Sequence, residues 1–202
     1  LPTTKIREPY MVEEQADGRR DRGARNKQLI VNAFLDYIRE GNLNPTAQQV
    51  SERAGVGLRT VFRHFQDMET LYREMAHAVD AIIAPVLQTP LEGRTWQDKL
   101  HHAIDRRSAM FEQLMPIHVS SVAHLHASPF LKEKHRQSVA LQRMLLLGFL
   151  PKKVQNRKGT FEALDLVLSL DTWTRLRREQ ELTPEQAKKT IRHMVEKLID
   201  GL

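Results

Sequence analysis

Arg59, Thr60, Phe62, Arg63 and His64 fall together in the run Leu58-Arg59-Thr60-Val61-Phe62-Arg63-His64-Phe65. On a helix, residues 59 and 63 lie one turn apart and share a face. An arginine can bond guanine O6 and N7 in a bidentate way, and a threonine can offer its hydroxyl or methyl to a base edge. A short helix with two arginines and a threonine exposed near its start is what reading a DNA major groove requires. The plain reading of the same residues is a solvated helix face.

Such side chains need a rigid carrier. Thr46 followed by Gln49 has the spacing of a capping box, in which each side chain satisfies a free amide at a helix start. Gly55 suits a tight turn, because it takes positive φ without a Cβ clash. Val50, Ala54, Val56, Val61 and Phe65 then form an apolar inner face that joins two short helices. The expected unit is a helix-turn-helix over residues 46–65.

The run Thr46-x-x-x-Val50-x-x-x-Ala54-Gly55-Val56, then Thr60-Val61-Phe62-Arg63-His64-Phe65, then Glu69-Thr70-Leu71 resembles the N-terminal domain of the TetR (tetracycline-repressor-like) family without a gap. The resemblance covers about residues 25–75; beyond them only length, helical content and helix order match. It implies that Thr46 touches phosphate at a helix start. It also implies that Arg59, Thr60 and Arg63 face base edges, that Phe62 packs on a thymine methyl, and that His64 approaches the backbone. The sequence departs from the family pattern at three positions: Gly57 stands where a serine cap is common, Phe62 where tyrosine is usual, and Met68 where a phosphate-binding lysine is common.

Composition is compatible with that reading. The formal net charge is +6 and the pI about 9.7, which favours an anionic partner. The chain has no cysteine, which excludes disulfides and thiolate chemistry. No apolar run approaches the roughly 20 residues of a membrane span. The polar, mixed-charge opening does not read as a secretory signal, so a cytoplasmic location without membrane association is expected.

The fold class read from the pattern is all-α, with helices near 26–40, 46–54, 58–65, 68–87, 95–114, 117–126, 129–149, 160–180 and 184–200. Residues 1–24 lack apolar period and read as a basic flexible arm, with Arg22 and Arg25 able to reach phosphates. Residues 25–70 form the DNA-binding domain and 71–202 an effector-binding and dimerisation domain. Thr95 with Asp98, Ser128-Pro129 and Thr183-Pro184 mark further helix starts.

Two C-terminal stretches point to self-association. Ile191, Met194, Val195, Leu198 and Ile199 form a helical stripe, and residues 161–173 are apolar nearly all round a helix. A symmetry mate covers such a surface readily, so Phe161, Leu164, Leu168, Ile191, Met194, Val195 and Leu198 are expected at a homodimer interface, the alternative being a core buried in a monomer. Two-fold symmetry would set two reading helices about 34 Å apart on a palindromic operator. The resemblance further implies a pocket for a small-molecule effector in the middle helices, with Trp96, Phe111, Met115, His118 and Trp173 as its expected lining.

His118, His124 and His126 lack the i, i+4 spacing of a helical metal site, so no metal or cofactor is expected. No catalytic constellation or glycine-rich phosphate loop stands out, so an enzyme is not expected. The function implied is a sequence-specific DNA-binding transcriptional regulator, a repressor released from its operator by an effector. The alternatives are a helical ligand-binding protein with a degenerate helix-turn-helix and a ligand-dependent activator.

Overall fold

In a computed structural model of the chain, the backbone is described from Met11 to Leu202 and the side chains from Asp21 onward. All regular structure among the described residues is helical. The chain divides into two compact units, one ending at Leu71 and one running from Tyr72 to Leu202.

The first unit contains α1 (Met11–Arg39), α2 (Ala47–Ala54) and α3 (Leu58–His64). The arm expected over residues 1–24 is, from Met11 onward, the beginning of α1; residues 1–10 lie outside those described. The segment has no apolar period, but Glu, Gln, Ala and Arg favour helix and no proline interrupts them. Arg22 and Arg25 therefore stand exposed on a helix.

Ile30, Val31, Phe34 and Ile38 of α1 are buried with Val50 and Ala54 of α2 and with Val61 and Phe65 at α3. Removing each large aliphatic side chain of this set from water contributes about 1.5–3 kcal/mol. The capping box expected at Thr46 is formed: its Oγ1 accepts from the Gln49 amide at 3.2 Å, and Gln49 Oε1 accepts from the Thr46 amide at 2.9 Å. The turn after α2 places Gly55 at φ 64°, and the Val56 amide closes back on the Ser51 carbonyl at 3.2 Å. Polar contacts also tie α2 to α1. Arg53 pairs with Glu40 at 2.7 Å and lies 3.6 Å over the Tyr37 ring, and the Tyr37 hydroxyl donates to the Gln49 carbonyl at 3.3 Å.

Helix α4 (Met68–Gln88) carries the chain from the first unit into the second. The second unit continues with α5 (Trp96–His124), α6 (Pro129–Leu147), α7 (Lys152–Gln155), α8 (Thr160–Val167), α9 (Leu170–Thr174), a π-helical turn at Arg175–Glu179, and α10 (Pro184–Ile199). The two helices expected over 95–114 and 117–126 are one, with Pro116 inside it. Pro116 lacks the amide that would bond Glu112, at a cost of about 3 kcal/mol in a helix interior. Leu114, Ile117 and Ser120 are buried on either side of it, and that packing holds the axis through the break.

The single helix expected over 160–180 is broken instead at Ser169, whose side chain accepts from the Thr172 amide at 3.1 Å and starts α9 anew. This break lets the segment fold on itself. Phe161, Leu164, Leu168, Trp173 and Leu176 are buried with Leu100, Ile104 and Phe111 of α5 and with Ala187, Ile191 and Val195 of α10. The apolar surface that called for a symmetry mate is thus largely covered within one subunit. Arg192 binds Asp105 at 2.6 Å and Arg177 binds Glu112 at 2.7 Å, joining α10 and the π-helical turn to α5.

Candidate DNA-reading surface and ligand cavity

In the first unit, α3 divides its side chains by face. Val61 and the following Phe65 turn inward, while Arg59, Phe62 and Arg63 are exposed at i, i+3 and i+4. Phe62 is 57% exposed, on the same face as the two arginines. Neither Arg59 nor Arg63 is held in an ion pair among the described residues, so both guanidinium groups remain available. Gly57 caps α3 with extended backbone and no side chain, and its carbonyl accepts the Thr60 amide at 2.7 Å. Thr60 is half-buried at the edge of the same face.

Two expected DNA contacts sit differently. Thr46 is exposed, but its hydroxyl is engaged in the capping box. His64 turns inward, with Cε1 facing Gly23 of α1 and Nε2 buried without a hydrogen-bond partner. Burial, then the charges of Arg63 and Lys27, hold its imidazole below the ordinary range. Its Nε2 is thus not exposed towards a phosphate in this arrangement. Met68, at the first turn of α4, is 46% exposed.

In the second unit, α4, α5, α6 and the α8–α9 segment line an open cavity of about 960 Å³. That lies at the upper end of the volumes that hold small molecules. Tyr72, Met75, Val79, Ile83, Val86 and Leu87 line it from α4, a stripe at helical spacing. Met110, Phe111, Leu114, Ile117 and Val122 line it from α5. Charged groups also reach the wall. Asp80 is bound to Lys134 at 2.7 Å, and His118 Nε2 lies 3.0 Å from Asp171 Oδ1. His118 also stacks on His135. The hydrogen bond with His118 holds the Asp171 carboxyl below the usual range, against the effect of burial.

Of the five residues expected to line an effector pocket, Phe111 and His118 do so; Trp96, Met115 and Trp173 do not. Trp173 is fully buried in the core and donates through Nε1 to Glu112 Oε1 at 2.8 Å. Trp96 and Met115 pack against that same core. Of the seven residues expected at a dimer interface, Phe161, Leu164, Leu168, Ile191 and Val195 fill the subunit's own core, while Met194 and Leu198 are half-buried.

The α4 stripe was open to sequence reading as an amphipathic helix, but nothing in it says that a void lies beneath. Lys99, Arg106 and Arg107 were missed altogether because charged residues on a helix read as solvated. Among the described residues no group of histidine, aspartate and glutamate has the arrangement of a metal site, and no helix is long and apolar enough to cross a membrane.

Solved structures share this architecture. A transcriptional regulator from Rhodococcus sp. Rha1 superposes with a TM-score of 0.69 at 16% identity, over 87% of this chain and 96% of that one. A candidate transcriptional regulator from Streptomyces coelicolor A3(2) superposes at 0.60 with 19% identity, over 84% of this chain and 98% of that one. The chain has their fold. At these identities the likeness speaks for architecture and leaves chemistry to the residues. No family model matches the chain, and no curated protein matches it.

Proposed function

We propose that the protein is a DNA-binding transcriptional regulator of the TetR type, a homodimeric repressor released from its operator by a small molecule. The observation that carries this reading is the exposed face of α3, where Arg59, Phe62 and Arg63 stand together on a capped, well-packed helix-turn-helix. The two solved regulators of the same fold support it.

The cavity supports the regulatory half. Its wall is mostly apolar, and α4, which supplies one side of it, is also the helix that leads out of the DNA-binding unit. A ligand that binds one position of α4 better than another shifts the population of operator-competent protein by that difference in affinity. Exposed Met144 and Leu147 of α6, at 60% and 43%, leave apolar surface in the second unit for a partner subunit to cover.

The test is a titration of fluorescently labelled DNA from upstream of the protein's own gene against a scrambled duplex, followed by anisotropy at several salt concentrations. Tight, salt-dependent binding to the upstream DNA, at least a hundredfold above the scrambled duplex, is expected. Equal weak binding to both would leave a ligand-binding helical protein without operator recognition.

A further inference from the structure

Arg107 of α5 is half-buried in the cavity wall. Its guanidinium donates to the Leu168 carbonyl at 2.9 Å and to the Gln142 carbonyl at 3.4 Å. Those bonds use only some of its five N–H donors. Among the described residues no carboxylate lies within ion-pair distance of it. Asp165, the acid whose charge acts on it, is bound to Arg143 at 2.7 Å. Burial lowers the guanidinium from its ordinary value to about 10, so it remains charged at neutral pH. A partly desolvated charge without an ion-pair partner is costly, and a bound counter-ion offsets that cost.

The surroundings have the same sign. Lys99 and Arg106 also line the cavity, and no ion pair holds either of them among the described residues. Arg106 is held only by the Thr89 carbonyl. The cavity's acids are each held by a cation, Asp80 by Lys134, Asp171 by His118, and Asp165 by Arg143 from outside the lining. The unneutralised charge of the wall is therefore positive and gathered on the first half of α5. From Arg107 to Leu114 the helix advances about 10 Å, and over that span the lining turns apolar through Met110, Phe111 and Leu114.

Resting on the reading of this cavity as an effector site, we infer that its ligand is an amphipathic monocarboxylate. The carboxylate pairs with Arg107, with Arg106 and Lys99 adding to the field, and an apolar body fills the space between α4 and the second half of α5. A carboxylate suits a guanidinium because two of its parallel N–H groups match two oxygens. One anion is called for, because Arg107, half-buried in the wall, has no carboxylate within ion-pair distance among the described residues.

The experiment uses the full-length protein and a neutral fluorescent occupant, N-phenyl-1-naphthylamine, which reports the apolar cavity without using its charge. It is displaced with two matched pairs, dodecanoate against dodecanamide and 2-naphthylacetate against 2-naphthylacetamide. In at least one pair the acid is expected to compete about tenfold or more better than the amide at pH 7. In Arg107→Gln that preference falls towards unity, while the neutral probe still binds; Arg107→Lys keeps part of it. The wild-type comparison needs no substitution, so a variant that fails to fold does not remove the test. If the probe binds and acids and amides compete equally in both pairs, the carboxylate inference is overturned and the cavity remains a ligand site. If neither probe nor ligands bind, the effector reading falls with it.

Discussion

Trp173 Nε1 donates to Glu112 Oε1 at 2.8 Å, across 61 residues of sequence, and Arg177 binds the same carboxylate at 2.7 Å through Nε. One acid on α5 thus receives both the indole of the core and a guanidinium of the π-helical turn. Burial opposes its charge, but the hydrogen bonds from Arg177 and Trp173 outweigh it and hold the carboxyl below its ordinary 4.5.

A carboxyl with a depressed pKa contributes stability that is complete above the unfolded value and is lost as pH falls through the folded one. The stability of the wild type to urea should therefore fall as pH drops below about 4.5, and that of Glu112→Gln should fall less over the same window. At pH 7 Glu112→Ala should cost about 2 kcal/mol, because it strands two buried donors. Parallel pH profiles for wild type and Glu112→Gln would contradict the assignment.

His64 predicts a second pH effect, on the first unit. Its folded pKa is lowered, so the unfolded chain binds its proton more readily, and the unit loses stability as pH falls below 6.5. Hydrogen exchange of α1 and α3 amides at matched intrinsic rates should show faster opening at pH 5.5 than at 7.5. His64→Gln should remove most of that difference.

Gly55 ends α2 at φ 64°, with no atom within 4 Å of where a Cβ would stand. The cost of Gly55→Ala is therefore that of the left-handed backbone itself, about 1–2 kcal/mol. The free energy of unfolding followed on the first unit should fall by that amount, without loss of helix content.

Met68 and Phe62 are exposed, so replacing them should change stability by less than about 0.5 kcal/mol. If their face meets DNA, Met68→Lys should steepen the dependence of log affinity on log salt by about one per subunit. Phe62→Tyr should tighten binding through a new hydroxyl. An unchanged salt slope in Met68→Lys would place residue 68 away from phosphate.

What the sequence disclosed was local. Thr46 with Gln49, Thr95 with Asp98 and Thr183 with Gln186 each form their capping boxes, because such a box depends only on residues three apart. The inward face of the helix-turn-helix was legible for the same reason, in the spacing of Val50, Ala54, Val61 and Phe65. Pro116 was misleading because proline penalises a helix by an amount that packing on both sides can exceed. Residues 11–24 were misleading in the opposite sense, since a helix held by propensity shows no apolar stripe.

The cavity was the least legible part. Trp173 and Met115 have the side chains of a ligand site but pack in or against the core, while Arg107 looks solvated in sequence and is half-buried at the cavity wall. Whether an apolar side chain meets another side chain or a void depends on how distant helices meet. Five of the residues expected at a dimer interface pack in the subunit's own core, because the break at Ser169 lets residues 161–176 cover one another.

The central claim is that α3 reads DNA, and footprinting on the upstream DNA of the protein's own gene tests it most directly, with wild type, Arg59→Ala and Arg63→Ala side by side. A palindromic protected site is expected for wild type, with affinity lowered about tenfold or more in each variant, since a bidentate arginine–guanine pair contributes about 1–3 kcal/mol of discrimination. No protected site, or identical protection by all three proteins, would contradict it.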